Sequence, residues 1–281
     1  MSTEPRRVAM INSDGKSAPT VADPPGVETT LHDLRLRLLA RTPYEHLVTE
    51  LGTLDAVERA VAAGCDAVYV DTFGDYAVDR ARAATSVPVV GAGEESIKFA
   101  ATLYAGFSVV TVWPRSMGYL YADRLRSTPG GERCRGVHHL SGDDELDRVG
   151  RPDGVKSRMR RQEADVLTAL ADLCRRAVAA DGSDAVLLGC TCMAPAADAV
   201  AAQVDVPVLE PSAIGLTAAH AAALSGTHTP PSTGVARHTG LATGLVDACL
   251  AAGGASSPGT DDCEVCIVHP VPTDHQQKGT T

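Results

Sequence analysis

Cys190 and Cys192, separated by Thr191, follow the apolar run Ala185-Val186-Leu187-Leu188 and Gly189. A thiol placed where a buried strand gives way to a helix has its thiolate favoured by the helix dipole. Proton transfer near neutral pH then becomes feasible, which makes Cys190 a candidate acid/base. The competing reading is a small side chain filling a strand end, since free cysteine is among the most buried residue types. Thr72 occupies a similar place: it ends the run Ala67-Val68-Tyr69-Val70-Asp71 and is followed by Phe73, Gly74 and Asp75. If helices start after both points, the N–H groups of Phe73, Gly74, Thr191 and Cys192 are donors suited to an anion.

The two points are related by a duplication. Gly64-Cys65-Asp66-Ala67-Val68 returns as Gly182-Ser183-Asp184-Ala185-Val186, and Val87-Pro88-Val89-Val90 returns as Val206-Pro207-Val208-Leu209. The copies stay in register with one residue gained, which sets Thr72 opposite Cys190. The expected fold is therefore α/β: two pseudosymmetric lobes, each a mostly parallel sheet flanked by helices, with the active site in the cleft between them. In such sheets ligands bind beyond the carboxyl ends of the strands.

The elements that position these residues follow the same alternation. Residues 7–12 read as a first buried strand and 14–30, rich in Gly, Pro, Ser and Thr, as loop. Residues 51–63 read as a helix, 75–84 as a helix beginning directly after the Thr72 turn, and 94–104 as another. Phe107-Ser108-Val109-Val110-Thr111-Val112 is a strong strand, 127–154 reads mostly as loops, and 157–180 as one long amphipathic helix. Strand–helix alternation implies parallel sheets with right-handed crossovers.

Composition narrows the function. The chain has 281 residues, 44% hydrophobic and only 4% aromatic, so its core rests on Ala, Val and Leu. A formal charge of −10 argues against nucleic acid, which requires clustered Lys and Arg. The basic run 156–161 reads as a solvated helix face. No apolar run has the length that crosses a bilayer, and the polar start lacks a signal-peptide core. Eight cysteines in a chain this long do not form a dense disulfide framework, so a cytoplasmic protein with mostly free thiols is expected.

Leu188-Gly189-Cys190-Thr191-Cys192-Met193 resembles the second active-site motif of the aspartate/glutamate/hydantoin racemase superfamily, and most closely its hydantoin-racemase branch. Ile11-Asn12, Phe73-Gly74-Asp75, Pro88-Val89-Val90-Gly91-Ala92-Gly93-Glu94 and Phe107-Ser108-Val109-Val110-Thr111 carry the resemblance further, over about residues 7–225. It implies two α/β lobes, no cofactor, and two cysteines on opposite faces of a substrate carbon beside a carbonyl or carboxylate. One thiolate removes the proton and the other thiol delivers one. N–H donors hold the enolate-like intermediate.

The chain departs from that pattern at the first cysteine, which falls at Thr72. A threonine hydroxyl does not replace a thiolate base, and Asp71 should point to the other side of its strand. Relatives with only the second cysteine are similar to arylmalonate decarboxylase, in which an enolate left by loss of carbon dioxide is protonated on one face. Thr72 is then a hydrogen-bond donor to a carboxylate or enolate oxygen. Three readings stay open: a racemase or epimerase using Cys190 and Thr72, a single-cysteine decarboxylase, and a binding protein that keeps the cleft without catalysis.

Asn12, Phe73, Gly74, Thr191 and Cys192 are the candidate substrate-binding residues. Asn12 reads equally as a turn residue, and Cys192 as helix packing. The family's Asn-Pro-Asn-Thr run is broken after Asn12, which implies a different specificity. Glu94 reads as a helix N-terminal charge and His138-His139 as a solvated pair in a loop. Gly91-Ala92-Gly93 lacks a third spaced glycine and does not indicate a dinucleotide. Cys263, Cys266 and His269 have zinc-ligand chemistry but no second cysteine pair nearby, so no metal is assigned. The expected partner is a small molecule, with no nucleic acid and no membrane. Self-association into a homo-oligomer is left open. The expected division is residues 1–106 with 212–250 as the first lobe, 107–211 as the second, and 251–281 as a flexible tail.

Overall fold

The computed structural model describes residues 4–12, 18–228 and 239–251. Strand β1 (Arg6–Asn12) is exposed only at its two arginines and buried from Val8 onward. It pairs in parallel with β2 (Val27–Asp33), from Arg6↔Val27 to Asn12↔Asp33. The last four residues of the region read as loop, 27–30, are therefore the start of a strand. Its Glu28, Thr29, Thr30 and His32 give no apolar signal because β2 is an edge strand with mostly accessible side chains.

Helix α1 (Pro43–Ala62) begins eight residues earlier than the hydrophobic pattern indicates. Thr42 and Glu45 form a reciprocal capping box there, and Pro43 opens the first turn. The chain continues through β3 (Ala67–Asp71), α2 (Val78–Ala84), β4 (Val89–Gly91) and α3 (Ala92–Leu103). The second half runs β5 (Phe107–Thr111), α4 (Gly118–Ser127), β6 (Cys134–His139), α5 (Val155–Arg160), α6 (Ala164–Asp181), β7 (Ala185–Leu188), α7 (Ala197–Ala201), β8 (Val208–Leu209), α8 (Pro211–Ser225) and α9 (Leu241–Ala251).

Two corrections fall in the second half. The segment read as loops contains β6, which pairs in parallel with β5 along the other sheet's edge. The single long helix is two, α5 and α6, separated at Gln162, whose φ of 56° breaks the helical path.

The sheets repeat one another: the strand orders are β2-β1-β3-β4 and β6-β5-β7-β8, all parallel. β1 corresponds to β5 and β3 to β7, as the sequence repeat requires. In each sheet the chain reverses its direction of winding between these two central strands. That is the point where a crevice opens at the carboxyl ends. Asn12 and Thr72 stand there in the first sheet, Thr111 and Cys190 in the second.

One face of the first sheet packs Ile11, Val68 and Val70 against Ala56, Val57 and Ala60 of α1. Its other face packs Met10 and Tyr69 against Leu216, Ala219 and Ala223 of α8. In the second sheet, Val110 and Leu188 meet Leu170 and Cys174 of α6, while Val109 and Leu187 meet Ile97 and Ala100 of α3. Helix α3 thus leaves the first sheet to cover the second, and α8 leaves the second to cover the first. Residues 252–281, including Cys263, Cys266 and His269, lie outside the described residues. Among the described residues no helix is long and apolar enough to cross a membrane.

Candidate functional site

The two strand-end turns face a single cavity of about 90 Å³, lined by Thr72, Phe73 and Gly74 from one sheet and by Gly189, Cys190, Thr191 and Cys192 from the other. Asn12 also lines it. All the candidate residues named from the sequence therefore converge on one place, although their surroundings differ in detail from the expectation.

Cys190 leaves β7 in an extended conformation and caps a short 3-10 turn, Thr191–Ala196, which runs on into α7. Its Sγ accepts the Cys192 N–H at 3.2 Å. A hydrogen bond of this kind favours a charged sulfur. Cys192 is buried, packs among Met193, Leu170 and Val200, and its sulfur is joined to that of Cys190 in a disulfide. Both readings of Cys192, cavity wall and packing, thus apply together. The cysteines of this turn are not free thiols in this state, whereas Cys65, Cys134, Cys174 and Cys249 are.

Thr191 is 8% exposed, and its hydroxyl donates to the Asp71 carbonyl at 3.1 Å, not into the cavity. Asp71 also lines the cavity, and its carboxylate accepts Tyr69 OH at 2.9 Å and Ser212 Oγ at 2.8 Å. Alternation along a strand requires this placement, since Tyr69 and Asp71 share a face.

Thr72 is also 8% exposed, and its Oγ1 is buried without a hydrogen-bond partner among the described residues. An unpaired buried hydroxyl costs roughly 1–3 kcal/mol, so such groups call for an explanation. This one belongs to a residue that lines the cavity.

No helix begins directly after Thr72, contrary to the sequence reading. Asp75 (φ 48°) and Ala77 (φ 59°) hold a left-handed turn, and α2 starts only at Val78. The Phe73 and Gly74 amides are therefore turn amides outside any helix N-terminus. Phe73 is buried, with its ring 5.5 Å from that of Tyr121. Gly74 is required because the Tyr76 ring lies against it: a Cβ there would stand 2.6 Å from Tyr76 Cε1.

Asp75 holds this turn in place. Its carboxylate accepts the Gly93 and Glu94 N–H groups at 2.8 and 2.6 Å, and Arg124 approaches it at 3.2 Å. Burial pushes its pKa up to about 7 against the opposing pull of Arg124 and the two amides. The Gly91-Ala92-Gly93 turn is glycine-rich for the same reason, because a Cβ at Gly91 would lie 2.3 Å from Asp75 Oδ1. Glu94 is tied to Arg82 at 2.7 Å and to Lys98, consistent with a structural charge. His138 and His139 are not a solvated loop pair. They lie on β6, with His138 Nε2 2.6 Å from Asp181 Oδ2 and His139 Nδ1 3.0 Å from the Trp113 carbonyl.

Cavity residues that escaped the sequence reading include Arg37, Tyr76, Tyr121 and Lys156. Tyr121 OH bridges the equivalents of the first sheet's strand ends, contacting Thr111 Oγ1 at 2.6 Å and donating to the Gly189 carbonyl at 2.9 Å. Arg37 is half-buried and makes no ion pair or hydrogen bond with any described residue. Tyr76 is half-buried and its hydroxyl makes no hydrogen bond with any described residue, and desolvation pushes its pKa up. Lys156 belongs to the basic run read as solvated. The signal available for Arg37 was a cation in a stretch, residues 34–40, otherwise mostly Leu and Arg.

Comparison with known proteins agrees with this architecture. A hydantoin racemase from Pseudomonas sp. (strain NS671) is 32% identical over 167 residues, which span 59% of this chain and 62% of that protein. One from Rhizobium meliloti is 30% identical over 169 residues, spanning 60% of this chain and 63% of that one. Among solved structures, allantoin racemase from Klebsiella pneumoniae superposes with a TM-score of 0.68 at 21% identity, covering 84% of this chain and 98% of its own. An arylmalonate decarboxylase double mutant superposes with a TM-score of 0.57 at 19% identity, covering 81% and 96%. At such identities the structural likeness speaks for the fold alone. The sequence model of the Asp/Glu/hydantoin racemase family matches residues 8–219, well over half of the chain, and the protein belongs to that family.

Proposed function

We propose that this protein is a cofactor-independent isomerase of the racemase/epimerase type. It acts through an enolate at a carbon beside a carboxylate or imide carbonyl, with Cys190 in its thiol form as acid/base. The observation that carries the reading is the pairing of Cys190 with the unpartnered Thr72 hydroxyl at equivalent strand ends facing one cavity. The Cys190 thiolate removes the α-proton, and the electron pair of that C–H bond moves onto the carbonyl as an enolate. The hydroxyls of Thr72 and Tyr76 donate to the enolate oxygen, a solvent water protonates the far face and inverts the centre, and the hydroxide so formed takes the proton from Cys190. Asn12 and the Phe73, Gly74, Thr191 and Cys192 backbone complete the binding wall. Arg37 and Lys156 favour a substrate carrying an acidic group. The cytoplasm expected from the cysteine content suits a working thiol.

Thr72 favours a second reading, decarboxylation. There the substrate's C–C bond breaks, carbon dioxide departs, its bonding pair becomes the enolate, and Cys190 S–H delivers a proton to one face. Incubation of reduced protein in deuterium oxide with each enantiomer of 5-benzylhydantoin, and separately with phenylmalonate, decides between them. α-Proton exchange of both enantiomers without carbon dioxide supports the isomerase. Release of carbon dioxide from phenylmalonate, leaving phenylacetate, supports the decarboxylase. Binding of these compounds with neither reaction leaves the non-catalytic reading.

A further inference from the structure

Cys190 and Cys192 share one turn, with Cα atoms 5.1 Å apart and their sulfurs joined. That separation is within the range a disulfide spans without backbone movement. Both line the cavity, so a small solute that reaches the substrate position reaches the pair. Thr191 directs its hydroxyl to Asp71 and leaves the two sulfurs to each other. The Cys192 N–H donates to Cys190 Sγ at 3.2 Å and holds the turn that brings the two sulfurs together. Three other described cysteines are less suited: burial pushes Cys65 up to about 11 and Cys174 up to about 12, and raises Cys134 as well.

We propose that Cys190 and Cys192 form a reversible oxidation site, at which a peroxide closes the disulfide and stops catalysis until a dithiol reopens it. The stop rests on the reading of Cys190 as acid/base, because a disulfide sulfur carries no proton to exchange. The Cys190 thiolate attacks one oxygen of hydrogen peroxide, the O–O bond breaks, and hydroxide leaves a sulfenic acid. The Cys192 thiolate then attacks that sulfur, the S–S bond forms, and a second hydroxide leaves. The hydroxides take up the two thiol protons, so two thiols and one peroxide give one disulfide and two waters. A dithiol reverses the closure by exchange and is itself oxidised to a cyclic disulfide. Cys192 thereby intercepts the sulfenic acid before it advances to the irreversible sulfinic acid.

The test treats the reduced full-length protein with hydrogen peroxide and then dithiothreitol, with iodoacetamide labelling and peptide mass mapping at each stage. In wild type the peptide holding both cysteines becomes lighter by two hydrogen atoms after peroxide. Labelling of Cys190 falls roughly tenfold or more, then returns to within about twofold after dithiothreitol. In Cys192→Ala, or Cys192→Ser if the alanine variant does not fold, excess peroxide carries Cys190 past the sulfenic acid to the sulfinic acid, two oxygens heavier, and dithiothreitol does not restore its labelling. Absence of the disulfide mass in wild type overturns the oxidation site, and full recovery of labelling in the variant overturns the protection given by Cys192. Exchange on 5-benzylhydantoin or turnover of phenylmalonate, measured alongside, reports on the stop. A disulfide that forms and reverses while turnover continues unchanged overturns the stop, and places the fault in the role given to Cys190 rather than in the chemistry of the pair.

Discussion

Thr191 Oγ1 donates to the carbonyl oxygen of Asp71 at 3.1 Å, so the residue after Cys190 is bonded to the residue before Thr72. This bond joins the two strand-end turns directly and sets the distance across which a substrate is held. Replacing Thr191 with valine keeps the volume and deletes the donor, leaving a buried carbonyl less well satisfied. Stability should fall by about 1–2 kcal/mol in denaturant unfolding. Turnover should fall further than the stability change alone implies, and Thr191→Ser should recover most of both. Equal turnover in the valine variant would show that the turns are set by other contacts.

Cys190→Ala should abolish α-proton exchange while the far-ultraviolet circular dichroism stays unchanged. The side chain is a partly accessible group at the edge of the core cluster, so little packing is lost. Exchange at the wild-type rate in a folded variant contradicts the assignment.

Thr72 separates stability from function. Its hydroxyl is buried without a partner, so Thr72→Val removes an unsatisfied group and should raise stability by about 1 kcal/mol. The same change should slow turnover, because the donor facing the substrate is gone. Thr72→Cys tests the mechanism. In a single-cysteine enzyme it introduces racemisation of a product that was one enantiomer, whereas in an existing racemase it changes little. Chiral chromatography of the products distinguishes the outcomes.

Glu210 predicts a pH dependence. Its carboxylate caps α8 through the Ser212 and Ala213 amides, and burial, aided by the neighbouring Asp71, pushes its pKa up to about 7 against the pull of those amides. The folded state therefore holds this proton more tightly than the unfolded chain. Its contribution is full below the unfolded value near 4.5 and is lost as pH rises to about 7. The melting temperature of wild type should fall relative to that of Glu210→Gln between pH 5 and 8, a range spanning roughly 3 kcal/mol at most. Parallel melting curves for the two proteins would contradict the assignment.

The duplication and the central strands were legible because β1, β3, β5 and β7 are buried on both faces, and runs such as Ala185-Val186-Leu187-Leu188 can be little else. The edge strands were not. Glu28, His32, Arg135 and His138 sit where one face is accessible, and their polarity reads as loop. Cys190 and Thr72 could be placed because both lie inside the repeat. Arg37, Tyr76 and Lys156 arrive from segments that the repeat does not contain or does not match, and only tertiary packing brings them to the cavity. The turn after Thr72 was misread because Asp75 and Ala77 adopt positive φ without glycine, held there by the bonds from Asp75 to the start of α3.

The exchange of α3 and α8 between the sheets bears on how the molecule unfolds. Ile97 and Ala100 cover the second sheet although their helix grows from the first, and Leu216 and Ala219 do the converse. Each half of the chain thus carries the lid of the other's core. A half expressed alone would present a bare apolar sheet face to water, with its own surplus helix unsheltered. Melting should accordingly be a single cooperative step for the two sheets rather than two, and calorimetry should find equal van't Hoff and measured enthalpies.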